Sequence, residues 1–265
     1  MGHIEKAAMT KGVLLFAFNT SDIDYVKMAN ISANRINRLL GLPVTLITDI
    51  KPKSNSHNFD NVLLLDSDDS NSRGSKVWKN KGRYNAFEMS PYDETLVLDV
   101  DYIVNSNQLN KVFEFYDDFC CHQSTHFLME TDTKEELIGT KSLRTLWATV
   151  LFFKKTKRME LMFECVKMVQ ENYLHYHHLH GMYSTTFRND YAFTIANRII
   201  NGHTDEPTDF IPWNLTHVNK RFKVIKDADT EYRIYTDSPK LEYIKVKDFD
   251  FHMLNKDNFM ELFDE

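Results

Sequence analysis

An unbroken apolar run, Val13–Phe18 (VLLFAF), is followed by an amphipathic stretch and a second apolar run, Val44–Thr48. A continuous apolar run is what a strand buried on both faces of a parallel sheet requires. Between the two runs, Val26, Ala29, Ala33, Ile36 and Leu40 recur at spacings of three and four, which predicts one apolar stripe on a helix. Ser21 is the predicted N-cap, with Asp22 and Asp24 answering the helix dipole; Gly41 and Pro43 supply the stop. The resulting β-α-β opening predicts an α/β fold with a Rossmann-like, doubly wound, mainly parallel sheet. Ligands of such sheets lie beyond the carboxyl ends of the strands.

The alternation continues. Strands are predicted at Val62–Leu65, Thr95–Leu98 and Trp147–Phe153, and helices at Lys76–Met89, Gln108–Asp117, Arg158–Tyr173 and Arg188–Ile200, the last closed by Asn201-Gly202. Lys51–Asp60 and Asp66–Gly74 have loop composition, and Ser90–Asp93 makes a turn. Short strands near Arg233–Tyr235 and Tyr243–Val246 predict a small mixed C-terminal part. With no repeat, low-complexity tract or linker, residues 1–265 are expected to form a single domain.

No apolar run approaches the roughly 18–20 residues of a membrane span, and Met1–Gly12 lacks the apolar core of a signal peptide. Cys120, Cys121 and Cys165 form no disulfide framework, so a cytoplasmic setting is expected and the sequons at Asn19, Asn30 and Asn214 carry no meaning there. The net charge of −6 gives no global basic field for nucleic acid. Three local basic stretches, Lys76–Arg83, Lys154–Arg158 and Lys220–Lys226, read most simply as solvated surface and leave a polyanionic acceptor open.

The sharpest chemical signal is Leu96-Val97-Leu98-Asp99-Val100-Asp101, an apolar strand ending in two carboxylates one residue apart. That spacing lets both approach one hard divalent cation, Mg²⁺ or Mn²⁺, able to act as a Lewis acid on a departing diphosphate. Acidic pairs after strands are also common as solvated turns. At the ends of the first two predicted strands, Phe18, Asn19, Thr20 and Asp49 are placed to meet a nucleoside, or equally to cap a helix or turn.

The stretches Gly82–Phe87 and Tyr92–Val104 resemble the core of the glycogenin and lipopolysaccharide galactosyltransferase group, retaining glycosyltransferases of the GT-A fold. By that resemblance Asp99 and Asp101, with Val100 between them, bind Mn²⁺ and the diphosphate of a nucleotide sugar, UDP-linked in this group, and Arg83 contacts the donor. Asp248–Lys256 is similar to the C-terminal segment in which a histidine is the third metal ligand and a lysine meets the leaving phosphate. His252 and Lys256 fit those places, although the usual Gly and Lys-Pro-Trp are missing. Arg188-Asn189-Asp190 followed by Asp209–Asn214 resembles the helix start that sets an amide near the anomeric carbon: Asn189 takes that place and Asp190 the adjacent carboxylate. Arg188 departs from the usual acid, which leaves open retention with Asn189 or inversion with Asp190 as base.

Other features carry less. His175, His177, His178 and His180 match no common zinc spacing and read as exposed histidines; Cys165 reads as a core residue. A haloacid dehalogenase-type phosphohydrolase would open its catalytic domain with D-x-D, whereas here the pair lies near residue 100. A non-catalytic sugar-nucleotide-binding protein is the other alternative. The Asn-, Asp- and Lys-rich, Gly-poor texture resembles tailed-phage proteins. That likeness implies hydroxymethylated cytosine in phage DNA as one acceptor, in a host cytoplasm; a cell-surface glycan is the competing acceptor, which the net charge of −6 mildly favours. No acceptor signature and no oligomeric state are encoded.

Overall fold

The computed structural model describes residues 10–52, 57–73, 76–129, 133–134, 137–140, 143–204, 210–236 and 242–263. Its opening unit is the expected one: strand Lys11–Phe16, helix Tyr25–Leu40 and strand Val44–Thr48, the strands parallel with Val13 opposite Val44. Strand Asn61–Leu64 adds outside the second strand, again parallel. The chain then returns to the other side of the first strand, where Glu94–Leu98 pairs in parallel with Leu14 opposite Val97. This reversal opens a crevice between the carboxyl ends of Lys11–Phe16 and Glu94–Leu98. Trp147–Lys154, antiparallel to its neighbours on both sides, and Phe119–His122 beyond it complete the six-stranded sheet.

Strand alternation divides the core between two faces. Val13, Leu15, Leu96 and Leu98 pack with Met28, Ala29, Ala33 and Ile36 of the Tyr25–Leu40 helix. Leu14, Val97, Leu151 and Phe153 pack with Met162, Phe163 and Phe193 of helices Lys157–Glu171 and Asn189–Ile200. Helices on both faces make the sheet doubly wound, and the apolar runs are continuous for that reason.

Local starts and stops differ in places from expectation. The first helix is capped by Asp24, which accepts from the Lys27 N–H at 3.0 Å, and not by Ser21. Asn19 accepts from the Val26 N–H (3.0 Å) and Thr20 from the Ile23 N–H (3.2 Å), so the preceding loop is pinned and the helix begins only at Tyr25. Gly41 terminates it at φ 68°. Lys76–Met89 is not one helix. Lys76–Val77 pairs with Ser72–Arg73, and only a 3₁₀ segment, Lys81–Asn85, and one helical turn, Ala86–Met89, follow. Lys79, Lys81 and Arg83 reach in this stretch for Asp49, Asp68 and Asp99, and an uninterrupted helix would not present all three. Gln108–Asp117 is likewise a short 3₁₀ segment and one turn, ending at Phe115. The histidine-rich stretch forms a helix of its own, Tyr173–His180.

A second sheet has no counterpart in the sequence reading. Its order is Thr133–Lys134, Thr125–Phe127, Leu215–Val218, Phe251–Met253 and Tyr102–Ile103. The expected mixed C-terminal part is an antiparallel sheet of Lys223–Lys226, Glu231–Tyr235 and Tyr243–Lys247. Helix Lys256–Phe263 is tied to it by Asn258, which accepts from the Val224 N–H and donates to its carbonyl at 2.7 and 3.1 Å. Cys120, Cys121 and Cys165 are buried thiols. Among the described residues no helix is long and apolar enough to cross a membrane. Gly74 and Asp209 lie outside the described residues.

Candidate functional site

Strand Glu94–Leu98 ends at the crevice and the chain turns at once. The Asp99 N–H donates to the Thr149 carbonyl (2.9 Å) and the Tyr102 N–H returns to the Asp99 carbonyl (3.0 Å). The Asp101 carbonyl then accepts from the Met253 N–H (2.9 Å), and Tyr102 lies opposite His252 in the second sheet. The turn thus delivers Asp99 and Asp101 from one sheet to His252 of the other. His252 Nε2 is 3.1 Å from Asp101 Oδ2, and ligand atoms of Asp99, Asp101 and His252 all lie within 4.8 Å of one another. Two carboxylates and an imidazole suit Mn²⁺ or Mg²⁺, so the donor set fits a divalent cation.

Two cations of the chain itself already face these carboxylates. Lys256 bonds to Asp101 and Arg83 to Asp99. Burial alone would push the Asp101 carboxyl upward, but Lys256 and His252 hold it well below the usual carboxylate range. Burial would lower the Lys256 ammonium, and Asp101 raises it instead. Both groups are therefore charged near neutral pH. Burial raises the Tyr25 phenol; Lys256 opposes that, and Asp101 and Asp99 add to it, which places Tyr25 at the site without any signal in the sequence.

The other predicted residues join this centre through a hydrogen-bonded path. Arg83 donates to the Ala148 carbonyl at 2.7 Å, and the Ala148 N–H donates to Asp190 Oδ1 at 2.9 Å. Asp190 Oδ2 accepts from Arg188 at 2.9 and 3.2 Å, so both of its oxygens are engaged. Asn189 donates to the Asn80 carbonyl (2.9 Å), while its buried Oδ1 has no partner among the described residues. Val100 is buried, and its carbonyl accepts from Ser32 at 2.6 Å. Phe18 is buried at the crevice, and Asn19 and Thr20 spend their side-chain oxygens on the loop as described above. Asp49 is paired with Lys79 at 3.4 Å.

Two buried histidines went unread in the sequence. His217 on strand Leu215–Val218 places Nδ1 3.0 Å from His252 Nδ1. His122, at the end of Phe119–His122, has both ring nitrogens buried and without a partner among the described residues. Burial pushes each down to about 3, with His252 adding to the effect on His217, so both rings are neutral. They lie in the wholly buried four-residue strands Phe119–His122 and Leu215–Val218, which are too short to establish a period from which either histidine could be read. The histidines of Tyr173–His180, by contrast, join no metal-ligating group among the described residues.

No family model matches the chain, and no curated protein matches it in sequence. Among solved structures it is similar to the glycosyltransferase GlyE of Streptococcus pneumoniae TIGR4, at 13% identity and TM-score 0.44, over 77% of this chain and 45% of that one. It thus spans less than half of the GlyE chain. The galactosyltransferase LgtC in complex with donor and acceptor sugar analogs is similar at 12% identity and TM-score 0.48, over 82% of this chain and 76% of that one. A 4-diphosphocytidyl-2C-methyl-D-erythritol synthase from Anaerococcus prevotii DSM 20548 is similar at 11% identity and TM-score 0.42, over 77% and 86%.

Proposed function

We propose that this chain is a GT-A glycosyltransferase of one domain, moving a sugar from a nucleotide diphosphate donor to an acceptor hydroxyl with a divalent cation held by Asp99, Asp101 and His252. The observation that carries the reading is the convergence of those three side chains at the crevice where the parallel sheet reverses its winding. Bound there, Mn²⁺ or Mg²⁺ supplies Lewis-acid neutralisation of the diphosphate. Arg83 and Lys256 face the same carboxylates and can turn their N–H donors to phosphate oxygens as negative charge develops on them. Phe18, Asn19 and Thr20 after the first strand, and Val100 between the two carboxylates, are assigned to the nucleotide by the sequence resemblance and their place in the fold, with Asp49 held by Lys79. UDP is the favoured nucleotide on the sequence resemblance.

Asp190 is a poor general base, because the Ala148 N–H and Arg188 occupy both of its oxygens. Asn189 keeps a buried acceptor that a donor-sugar hydroxyl would satisfy. This contrast favours retention. For the acceptor, Lys79, Lys81 and Arg83 of the first basic stretch, and Lys154, Lys157 and Arg158 of the second, are already ion-paired. On the second sheet, with none of the triad among its walls, a cleft of about 250 Å³ is lined by Tyr102, Trp213, Phe249, Gln108, His126 and Asp250. Aromatic rings with hydrogen-bonding groups suit a glycan better than a DNA backbone. Calorimetry of Mn²⁺ with UDP, followed by a screen of UDP-sugars for metal-dependent UDP release, is the test. Undiminished binding and release in Asp99→Asn would overturn the proposal.

A further inference from the structure

His217 and His252 sit on neighbouring parallel strands whose register makes them direct partners. Paired residues of a ladder project from the same face, and here the two Nδ1 atoms meet at 3.0 Å with the residues 3% and 8% exposed. A contact this short between two imidazole nitrogens holds one proton: one ring donates and the other accepts. The far side of the His252 ring decides which. With its Nε2–H given to Asp101, 3.1 Å away, His252 has a bare Nδ1 and His217 must donate to it. With its Nε2 lone pair given to a cation, His252 carries its proton on Nδ1, and His217 must accept it and hold its own proton on Nε2. Net charge is the same in both arrangements, and a neutral imidazole can take either part at the same atom.

We infer that His217 is a positioning residue that holds the His252 ring and exchanges hydrogen-bond roles with it, so that His252 Nε2 is free to ligate a divalent cation. The inference rests on the cation site proposed above. The Phe127 and Trp147 rings, 5.0 and 5.4 Å from the His217 ring, keep it in place. A purely structural role does not explain the residue, because its Nε2 is buried with no hydrogen-bond partner among the described residues. An apolar side chain would fill the position without that orphaned atom.

The test uses Mn²⁺ alone as probe, with the free ion read by electron paramagnetic resonance, on the full chain and three variants. His217→Leu should bind Mn²⁺ about 10–100-fold more weakly, the usual effect of removing the partner that orients a metal-ligating histidine. Its melting temperature in a chelator should stay at or above that of the parent. His217→Asn, whose amide can present oxygen or nitrogen at the Nδ1 position, should bind within about threefold of the parent. His217→Gln, whose amide lies one bond further out, should not. Equal Mn²⁺ affinity in the parent and His217→Leu overturns the inference, as does failure of His217→Asn to restore it. Absence of Mn²⁺ binding by the parent overturns the cation site itself, which separates the two failures. Should the leucine variant not fold, ¹⁵N spectra of histidine-labelled parent protein decide. On adding diamagnetic Cd²⁺ the His252 proton should move from Nε2 to Nδ1 and the His217 proton from Nδ1 to Nε2; unmoved protons on a Cd²⁺-bound site overturn the inference.

Discussion

The six-stranded sheet and the five-stranded sheet solve opposite problems. In the first, Val13, Leu14, Leu15, Leu96, Val97, Phe152 and Phe153 are wholly buried and apolar, and the strands are covered by helices on both faces. In the second, strands of two to four residues bury His217, His252, Thr125 and Thr216 beside Leu215, Phe251 and Met253. The first sheet makes stability from area and holds its residues rigidly. The second accepts desolvated polar groups, each of which needs a partner. Asp99 and Asp101 stand where one regime gives way to the other, so rigid placement and polar chemistry are drawn from different layers.

Acid should have the largest effect, and it acts through His122, a buried and unpartnered histidine at the end of an edge strand of the six-stranded sheet. His122 has a folded-state value lowered to about 3 from 6.5, so between those limits the unfolded chain takes up a proton that the folded chain refuses. The stability this buried neutral ring permits at pH 7 is therefore lost as pH falls from about 6.5 toward 3, by about 3–5 kcal/mol in all. Urea titrations across that range should show the loss, and His122→Leu should flatten it. An equal pH slope in the variant would remove His122 as the cause.

Away from His122, the apolar sheet should respond to truncation and not to pH. Phe152→Ala is expected to cost about 3–5 kcal/mol at both pH 7 and pH 5, measured by the same titrations. A cost that changes with pH would show that the two sheets are not independent in the way their compositions indicate.

At the boundary, Asp101 and Asp99 should separate. Asp101→Asn leaves the buried Lys256 ammonium unpaired and should destabilise the metal-free protein by about 2–4 kcal/mol as well as weakening Mn²⁺ binding. Asp99 is 26% exposed, and its partner Arg83 keeps a second acceptor in the Ala148 carbonyl, so Asp99→Asn should weaken Mn²⁺ binding while costing less stability than Asp101→Asn. Thermal melts in a chelator, compared with Mn²⁺ calorimetry, distinguish the two. The smallest effect belongs to the helix on the apolar sheet: Asp24→Ala removes an N-cap and should cost about 1 kcal/mol without altering Mn²⁺ affinity.

The same division governs what could be read in the sequence. The β-α-β opening was legible because its strand and helix patterns are local and long enough to show a period. The strand running into Asp99 and Asp101 was legible for the same reason. The second sheet was not, because its strands are too short to alternate convincingly and its partners are distant: His217 and His252 are 35 residues apart. His252 and Lys256 were found through a family resemblance, and nothing comparable pointed to His217, His122 or Tyr25. Ser21 lost the cap to Asp24 because Asn19 and Thr20 were already holding the loop, a competition among neighbouring polar side chains that propensity cannot rank. Lys76–Met89 was read as helical from composition, whereas Lys79, Lys81 and Arg83 are distributed among three carboxylates that lie on other segments.

Lys256 and Asp101 are 155 residues apart in the chain and in direct contact in the fold. During synthesis, a chain that has left the ribosome only as far as residue 200 carries both Asp99 and Asp101 but neither His252 nor Lys256. Its first sheet can already fold, since Lys11–Phe16, Val44–Thr48, Asn61–Leu64, Glu94–Leu98, Phe119–His122 and Trp147–Lys154 have all been made. The carboxylates then stand on a finished scaffold without their imidazole or ammonium partners. Closing so long a loop is the slow, late kind of contact. The triad consequently exists only in a molecule whose second sheet has also been laid down, and a growing chain has no complete site with which to capture a cation early.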